Sequence, residues 1–265
     1  MNLNKIKKYL STFISSKPRV CIILGSGLEH IENYIENRIS IPYNSIPNFY
    51  KTTVKGHKGE FIYGNINNIS LLCAKGRFHY YEGYTFKEVG SLIEIFNSFN
   101  PELCIITNSS GCLVKSWPIG SLMLSNKIID YSFIDSIKHK EYVFKKNKYI
   151  CLAKYIAKKN KIKLFEGSYV FTTGPSYETP AEIHEIIKLG GNAVGMSTFP
   201  EYLKCIKLNL NFLIISCLTN YGSGMKNSKV SHEDVLLNAN KFKNNFSDYI
   251  LGIIQNIELQ KIQMK

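Results

Sequence analysis

Residues 19–27 read RVCIILGSG. Arg19–Leu24 is a near-continuous apolar run, rich in β-branched residues and too short for a buried helix, and it stops at a Gly-Ser-Gly turn. A strand without polar alternation is one covered on both faces, as in a sheet flanked by helices. The pattern recurs. LCIIT (103–107) ends in Asn108-Ser109-Ser110-Gly111, and SYVFTT (168–173) in Gly174-Pro175-Ser176-Tyr177-Glu178-Thr179. NAVG (192–195) ends in Met196-Ser197-Thr198, and LIISCLT (213–219) in Asn220-Tyr221-Gly222.

Further short strands are expected at Glu60–Tyr63, Ile69–Ala74 and Ser121–Leu124. Helical patterns separate them at Leu28–Glu36, Phe86–Phe99, Ile150–Lys159, Ala181–Leu189, Pro200–Leu208 and His232–Ile257. Alternation of this kind predicts an α/β fold, with a central sheet and helices on both faces. No composition shift marks a linker, so residues 1–265 are expected to form a single domain. In an open α/β sheet the carboxyl ends of the strands form the ligand crevice. Five such ends carrying glycine with small hydroxyl or amide residues imply a polar pocket for an oxygen-rich ligand.

Gly25-Ser26-Gly27 lacks the third glycine of a dinucleotide fingerprint and is no Walker loop. It reads as a strand-to-helix turn whose exposed amides suit an anion. GRFHYYEGY (76–84) holds Arg77, one of three arginines among the 33 basic residues. A guanidinium offers a planar fork that fits phosphate and that lysine cannot copy. His79, two residues on, faces the same way in an extended segment. The competing reading is that Arg77 pairs with a nearby carboxylate such as Glu82. Thr179, Pro180 and Glu182 spell a helix start with a capping box. Glu182 is then the cap's acid, and Glu178 is left either to accept N–H groups of a ligand or to sit in solvent. Ser231-His232-Glu233-Asp234 opens the last helix. His232 falls in its first turn, where the helix dipole favours a neutral imidazole, either for hydrogen bonding or as an exposed side chain.

The chain has 265 residues, 45% hydrophobic and 20% charged, with a formal charge of +13. That charge invites a nucleic-acid reading, but lysine, asparagine and isoleucine are all abundant, as AT-rich codons would produce. The densest stretch, 138–163, reads as a solvated helix face and a lysine-rich loop. No nucleic-acid partner is expected, although a positive protein draws in anionic substrates. Seven cysteines without a C-x-x-C pair read as buried thiols of a reducing compartment. No metal site is expected, since no His, Cys and carboxylate group has ligand spacing. No apolar run reaches the ~18 residues of a membrane helix, and the N-terminal stretch lacks the apolar core and cleavage site of a signal peptide. A cytoplasmic protein is expected.

Taken in order, GSGL, IPNF, GHKGEFIYG, GRFHYYEGY, TNSSGCL, GSYVFTTGPSYETPAEI, LGGNAVGMSTFPE, LTNYG and SHEDVL resemble the trimeric, 6-oxopurine-specific purine nucleoside phosphorylases. The likeness runs from about Gly25 to Leu236. It implies a single-domain α/β fold with a central mixed β-sheet flanked by helices. It also implies phosphorolysis of inosine, guanosine and their deoxy forms to free base and (deoxy)ribose 1-phosphate, in purine salvage, by a homotrimer. Inorganic phosphate is a co-substrate, and no cofactor is implied. By the resemblance, phosphate lies on Ser26, His57, Arg77, His79, Ser197 and the backbone at Ser109. Tyr81 and Met196 contact the ribose, and His232 its 5′-hydroxyl. Tyr177 packs on the purine, Glu178 takes N1–H, and Asn220, with Thr219 beside it, stabilises the leaving base at N7. A methylthioadenosine phosphorylase-like enzyme, or a degenerate nucleoside-binding paralogue, is the alternative. Glu178 and Asn220 argue against the former, which reads a 6-amino purine. The chain departs from many relatives in a shorter 130–148 segment, where the family supplies a phenylalanine to the neighbouring subunit; Phe133 or Phe144 could serve. Relatives often have Ala-Ala at Ser109-Ser110 and Gly at Cys112.

Overall fold

A computed structural model gives the fold. It describes residues 1–50, 59–134, 136–225 and 232–259, with His232 described through its backbone alone. In chain order the elements are α1 Leu3–Leu10, β1 Val20–Leu24, β2 Glu36–Pro42, β3 Glu60–Ile66, β4 Ile69–Lys75, α2 Phe86–Val89, α3 Ser91–Ser98, β5 Leu103–Cys112, β6 Leu122–Asp130 and β7 Lys140–Val143. There follow α4 Lys148–Lys159, β8 Leu164–Phe171, α5 Pro180–Lys188, β9 Ala193–Gly195, α6 Phe199–Lys207, β10 Phe212–Tyr221, α7 His232–Lys241 and α8 Lys243–Gln255.

Among the described residues the strands form one mixed sheet. β1 pairs in parallel with β4 and β5, and β4, β3 and β2 continue antiparallel to one edge. On the other side the sheet closes. β5 pairs with β10, β10 with β6, β6 with β8, β8 with β9, and β9 returns to β5. The expected central sheet is therefore half open sheet and half closed ring, joined at β5. Closure cannot be read from sequence, because it depends on β5 being long enough to serve both halves.

β1 shows why the apolar run fits. Cys21 and Ile23 pack into one core with Ile6, Leu10, Phe96 and Tyr202, under α1, α3 and α6. Val20, Ile22 and Leu24 pack into the other with Leu152, Ile156, Phe246 and Ile250, under α4 and α8. Successive side chains point to opposite faces, so a strand buried on both sides loses its alternation.

Three expected helices differ. Leu28–Glu36 is a 3-10 turn over Glu29–Tyr34, and Glu36 already belongs to β2. Leu28, Ile31 and Ile35 are buried as the spacing demands, but over a short turn. Phe86–Phe99 breaks at Gly90, where a Cβ would stand 3.2 Å from the Pro200 carbonyl oxygen of α6. His232–Ile257 breaks at Phe242, whose ring lies over Gly120. The expected sequence pattern missed β2 and β7 because both are mostly exposed edge strands without an apolar face. It also missed α1, which Asn2 caps and whose Ile6 and Leu10, one turn apart, are buried. No described helix is long and apolar enough to cross a membrane. All seven cysteines are free thiols, and all but Cys151 are buried.

Candidate active site

The strand ends converge on one cleft of about 760 Å³, partly open to solvent. Ser26 follows β1; Arg77, His79 and Tyr81 follow β4; Ser109 lies on β5; Tyr177 and Glu178 follow β8; Met196 and Ser197 follow β9; Asn220 lies on β10. All ten line it. Their elements are far apart in sequence, and only the sheet brings them together.

At one end the cleft is built for an anion. β1 ends against β5 so closely that a Cβ on Gly25 would stand 2.7 Å from Asn108 Cα. The Gly25 N–H donates to Thr107 Oγ1 (3.0 Å), which donates to the Ile23 carbonyl (2.9 Å). Ser109 Oγ donates to the Ser26 carbonyl (2.7 Å), fixing the turn. Gly25→Ala is expected to force the two backbones apart, at about 1–3 kcal/mol of stability, and to weaken phosphate binding. Chemical denaturation with and without phosphate reads both, and an unchanged midpoint would show that the turn has room.

Arg77 is buried, 2% exposed. Its Nη1 donates to the Thr107 carbonyl (2.8 Å) and to Ser197 Oγ (3.1 Å). Its carboxylate partner is not Glu82, the sequence candidate, but Glu201 of α6, fully buried, with Nε 3.1 Å from Oε1. That contact has ion-pair distance without hydrogen-bond alignment, and Nη2 has no hydrogen-bond partner among the described residues. Glu82 instead caps its own turn: its Oε1 is 2.8 Å from both the His79 backbone N and Nδ1. This fixes the imidazole, which stacks on Tyr81 with centroids 4.8 Å apart.

Ser197 is aimed at Arg77 by a strained turn. Thr198 has φ 78° and ψ −41°, and the Phe199 N–H donates to the Ser197 carbonyl (2.9 Å), closing a γ-turn. A β-branched residue there costs about 1–3 kcal/mol. Asn108 Nδ2 donates to Thr198 Oγ1 (2.9 Å) and Tyr169 Oη to the Ser197 carbonyl (3.0 Å), holding the turn. The turn starts α6, which carries Glu201 to Arg77.

At the other end, Thr179 and Glu182 form the expected capping box, and Glu178 is free of it. Thr172 Oγ1 donates to Glu178 Oε1 (2.6 Å). Burial raises the Glu178 carboxyl above its usual range, and the Thr172 hydroxyl opposes that rise. Tyr177, half-exposed, stands beside it. Gly174 lets the loop close, since a Cβ would meet Met196 Sδ at 2.5 Å and Tyr81 Cδ1 at 2.9 Å.

Asn220 owes its aim to a β-bulge: the β10–β5 register shifts between Leu218 and Asn220, and such an extra residue redirects its neighbour. That extra residue is Thr219. It is fully buried, behind Asn220 rather than in the wall of the cleft. Its Oγ1 donates to Asn220 Oδ1 (3.0 Å), while Asn220 Nδ2 donates to the Tyr221 carbonyl (3.0 Å). The amide keeps one hydrogen and one lone pair for a ligand.

His57 lies outside the described residues, as does the side chain of His232, whose backbone opens α7. α7 sits over the site: Val235 lines the cleft, and Asn238 Nδ2 donates to the Thr219 carbonyl (2.9 Å). Val235, Asn108 and Ser110 were not among the expected contacts. The last two lay within a marked strand end; Val235 carries no polar signature that could have found it.

A model of the Phosphorylase superfamily matches residues 19–255. Purine nucleoside phosphorylase 1 of Geobacillus stearothermophilus is 34% identical over 96% of this chain and 97% of its own. The Bos taurus purine nucleoside phosphorylase is 30% identical over 86% of each. Among solved structures, a Schistosoma purine nucleoside phosphorylase in complex with hypoxanthine superposes with a TM-score of 0.86, at 27% identity, over 97% of both chains. Matched end to end in both sequence and fold, this chain belongs to the Phosphorylase superfamily and, within it, to the purine nucleoside phosphorylases.

Proposed function

We propose that the cleft performs phosphorolysis of inosine, guanosine and their deoxy forms. Phosphate adds to C1′ of the sugar as the N-glycosidic bond breaks, giving (deoxy)ribose 1-phosphate and the free purine. Ser26, His57, Arg77, His79, Ser197 and the backbone at Ser109 hold phosphate. Tyr81 and Met196 face the ribose, and His232 its 5′-hydroxyl. Tyr177 covers the base, Glu178 accepts its N1–H, and Asn220 hydrogen-bonds N7 as negative charge builds there. Positioning and charge neutralisation are the main catalytic contributions available to such a site.

One observation carries this reading. A buried guanidinium whose Nη2 has no hydrogen-bond partner among the described residues shares one cleft with a partly buried carboxylate and an amide. An anion fits the first, and a heterocycle with N–H donors fits the second. Phosphate is the co-substrate, and no metal or organic cofactor takes part in the scheme. The chain works as one domain over residues 1–265, in purine salvage, in the cytoplasm and as a homotrimer. Phe133, 47% exposed, is the phenylalanine of its segment suited to reach a neighbouring subunit. Phe144 stacks on Tyr202 (5.1 Å) and packs against Phe212 (5.2 Å) within its own chain.

The test is release of hypoxanthine from inosine. It is expected to require phosphate, and release at equal rate without phosphate would rule phosphorolysis out. Adenine has no N1 proton, so it denies Glu178 the N1–H hydrogen bond. The kcat/KM for inosine is expected to exceed that for adenosine by about a hundredfold or more at neutral pH; equal values would overturn the assignment of Glu178.

A further inference from the structure

The contact at Thr172 goes further than the roles above. Thr172 ends the β8 run, one residue past Phe171, with its backbone N–H donating to the Gly195 carbonyl (3.0 Å). Its side chain is nearly buried, and its hydroxyl is 2.6 Å from Glu178 Oε1. A hydroxyl on a carboxylate this short is a charge-assisted bond that favours the ionised acid. It spans the base of the loop that holds Tyr177 and Glu178. We propose that Thr172 is a specificity-determining positioning residue: its hydroxyl holds Glu178 as an ionised acceptor turned to the base, and so selects 6-oxopurines.

The proposal rests on the phosphorylase reading. An ionised Glu178 accepts N1–H of hypoxanthine or guanine. A protonated Glu178 becomes a donor and suits the bare N1 of adenine instead. The protonation state of one carboxyl thus sets which purine is complementary. Burial works against the ionised form, as does the negative charge of Glu182 on α5. Tyr177 stands beside Glu178 in the loop, with Asp234 of α7 within electrostatic reach of its phenol. Asn220 of β10 is neutral. Among these neighbours, the Thr172 hydroxyl is the side-chain donor that favours the anion.

Thr172→Val keeps the shape and removes the donor; Thr172→Ser keeps the donor. For Thr172→Val, kcat/KM for inosine at neutral pH is expected to fall about tenfold, carried by KM more than by kcat. The inosine-to-adenosine ratio is expected to fall with it, and the acid limb of the inosine pH profile to move to higher pH. Thr172→Ser is expected to restore the ratio and the limb. If Thr172→Val misfolds by circular dichroism, Thr172→Ala carries the same comparison, since it deletes the hydroxyl and adds no atoms. A parent enzyme that cleaves inosine, with a hydroxyl-deleted variant whose pH limb and substrate ratio match the parent's, overturns the proposal alone. A parent that does not cleave inosine with phosphate overturns the phosphorylase reading and the proposal together.

Discussion

Glu201→Ala is expected to remove about 3–5 kcal/mol of stability. Glu201 is fully buried, and Arg77 is 2% exposed, its Nη2 already without a hydrogen-bond partner among the described residues. Deleting the acid leaves a desolvated cation whose hydrogen bonds among the described residues go to the Thr107 carbonyl and Ser197 Oγ. The variant is also expected to become strongly phosphate-dependent. With Glu201 present, a phosphate on Arg77 shares the guanidinium with a negative neighbour; without it, the anion takes over as counter-charge and binds the folded state more tightly. Phosphate at a hundred times its Kd stabilises a fold by about 2.7 kcal/mol, so raising phosphate is expected to recover much of the loss. Thermal unfolding across a phosphate series measures this. A variant that melts with the parent, with the same phosphate dependence, would show that the pair does not anchor the anion end.

The second large effect is catalytic. Asn220→Ala is expected to lower kcat for inosine by about 10²–10³ and to leave the phosphate KM nearly unchanged, because the amide acts at the leaving base. Thr219→Val tests the bulge: its hydroxyl orients Asn220 Oδ1 from behind, so its loss is expected to lower kcat in the same direction by a smaller factor. Steady-state kinetics with both substrates varied separates these effects. A phosphate KM that changes as much as kcat in Asn220→Ala would place the amide elsewhere in the reaction.

Much of this was legible in the residues. The apolar runs at Val20–Leu24, Leu103–Thr107 and Phe212–Leu218 are strands because each must be covered on both faces, and the cores on either side of β1 bear that out. Turn chemistry at the strand ends marked the cleft. The capping box at Thr179 and Glu182 was readable because capping is local, and it singled out Glu178 by leaving it unused. The edge strands β2 and β7 were illegible, since exposed strands need no apolar face.

Sequence by itself thus determined the class of fold, the strands buried on both faces, and a set of polar residues waiting at their ends. Tertiary structure alone decided how those residues pair. It gave Arg77 to Glu201 rather than to Glu82, put Thr219 behind Asn220 through a register shift, set Thr172 against Glu178, and closed half the sheet into a ring. The physical reason is range. Strand propensity, burial periodicity and caps act over a few residues and are written in order along the chain, whereas ion pairs, bulge register and closure depend on which distant segments meet.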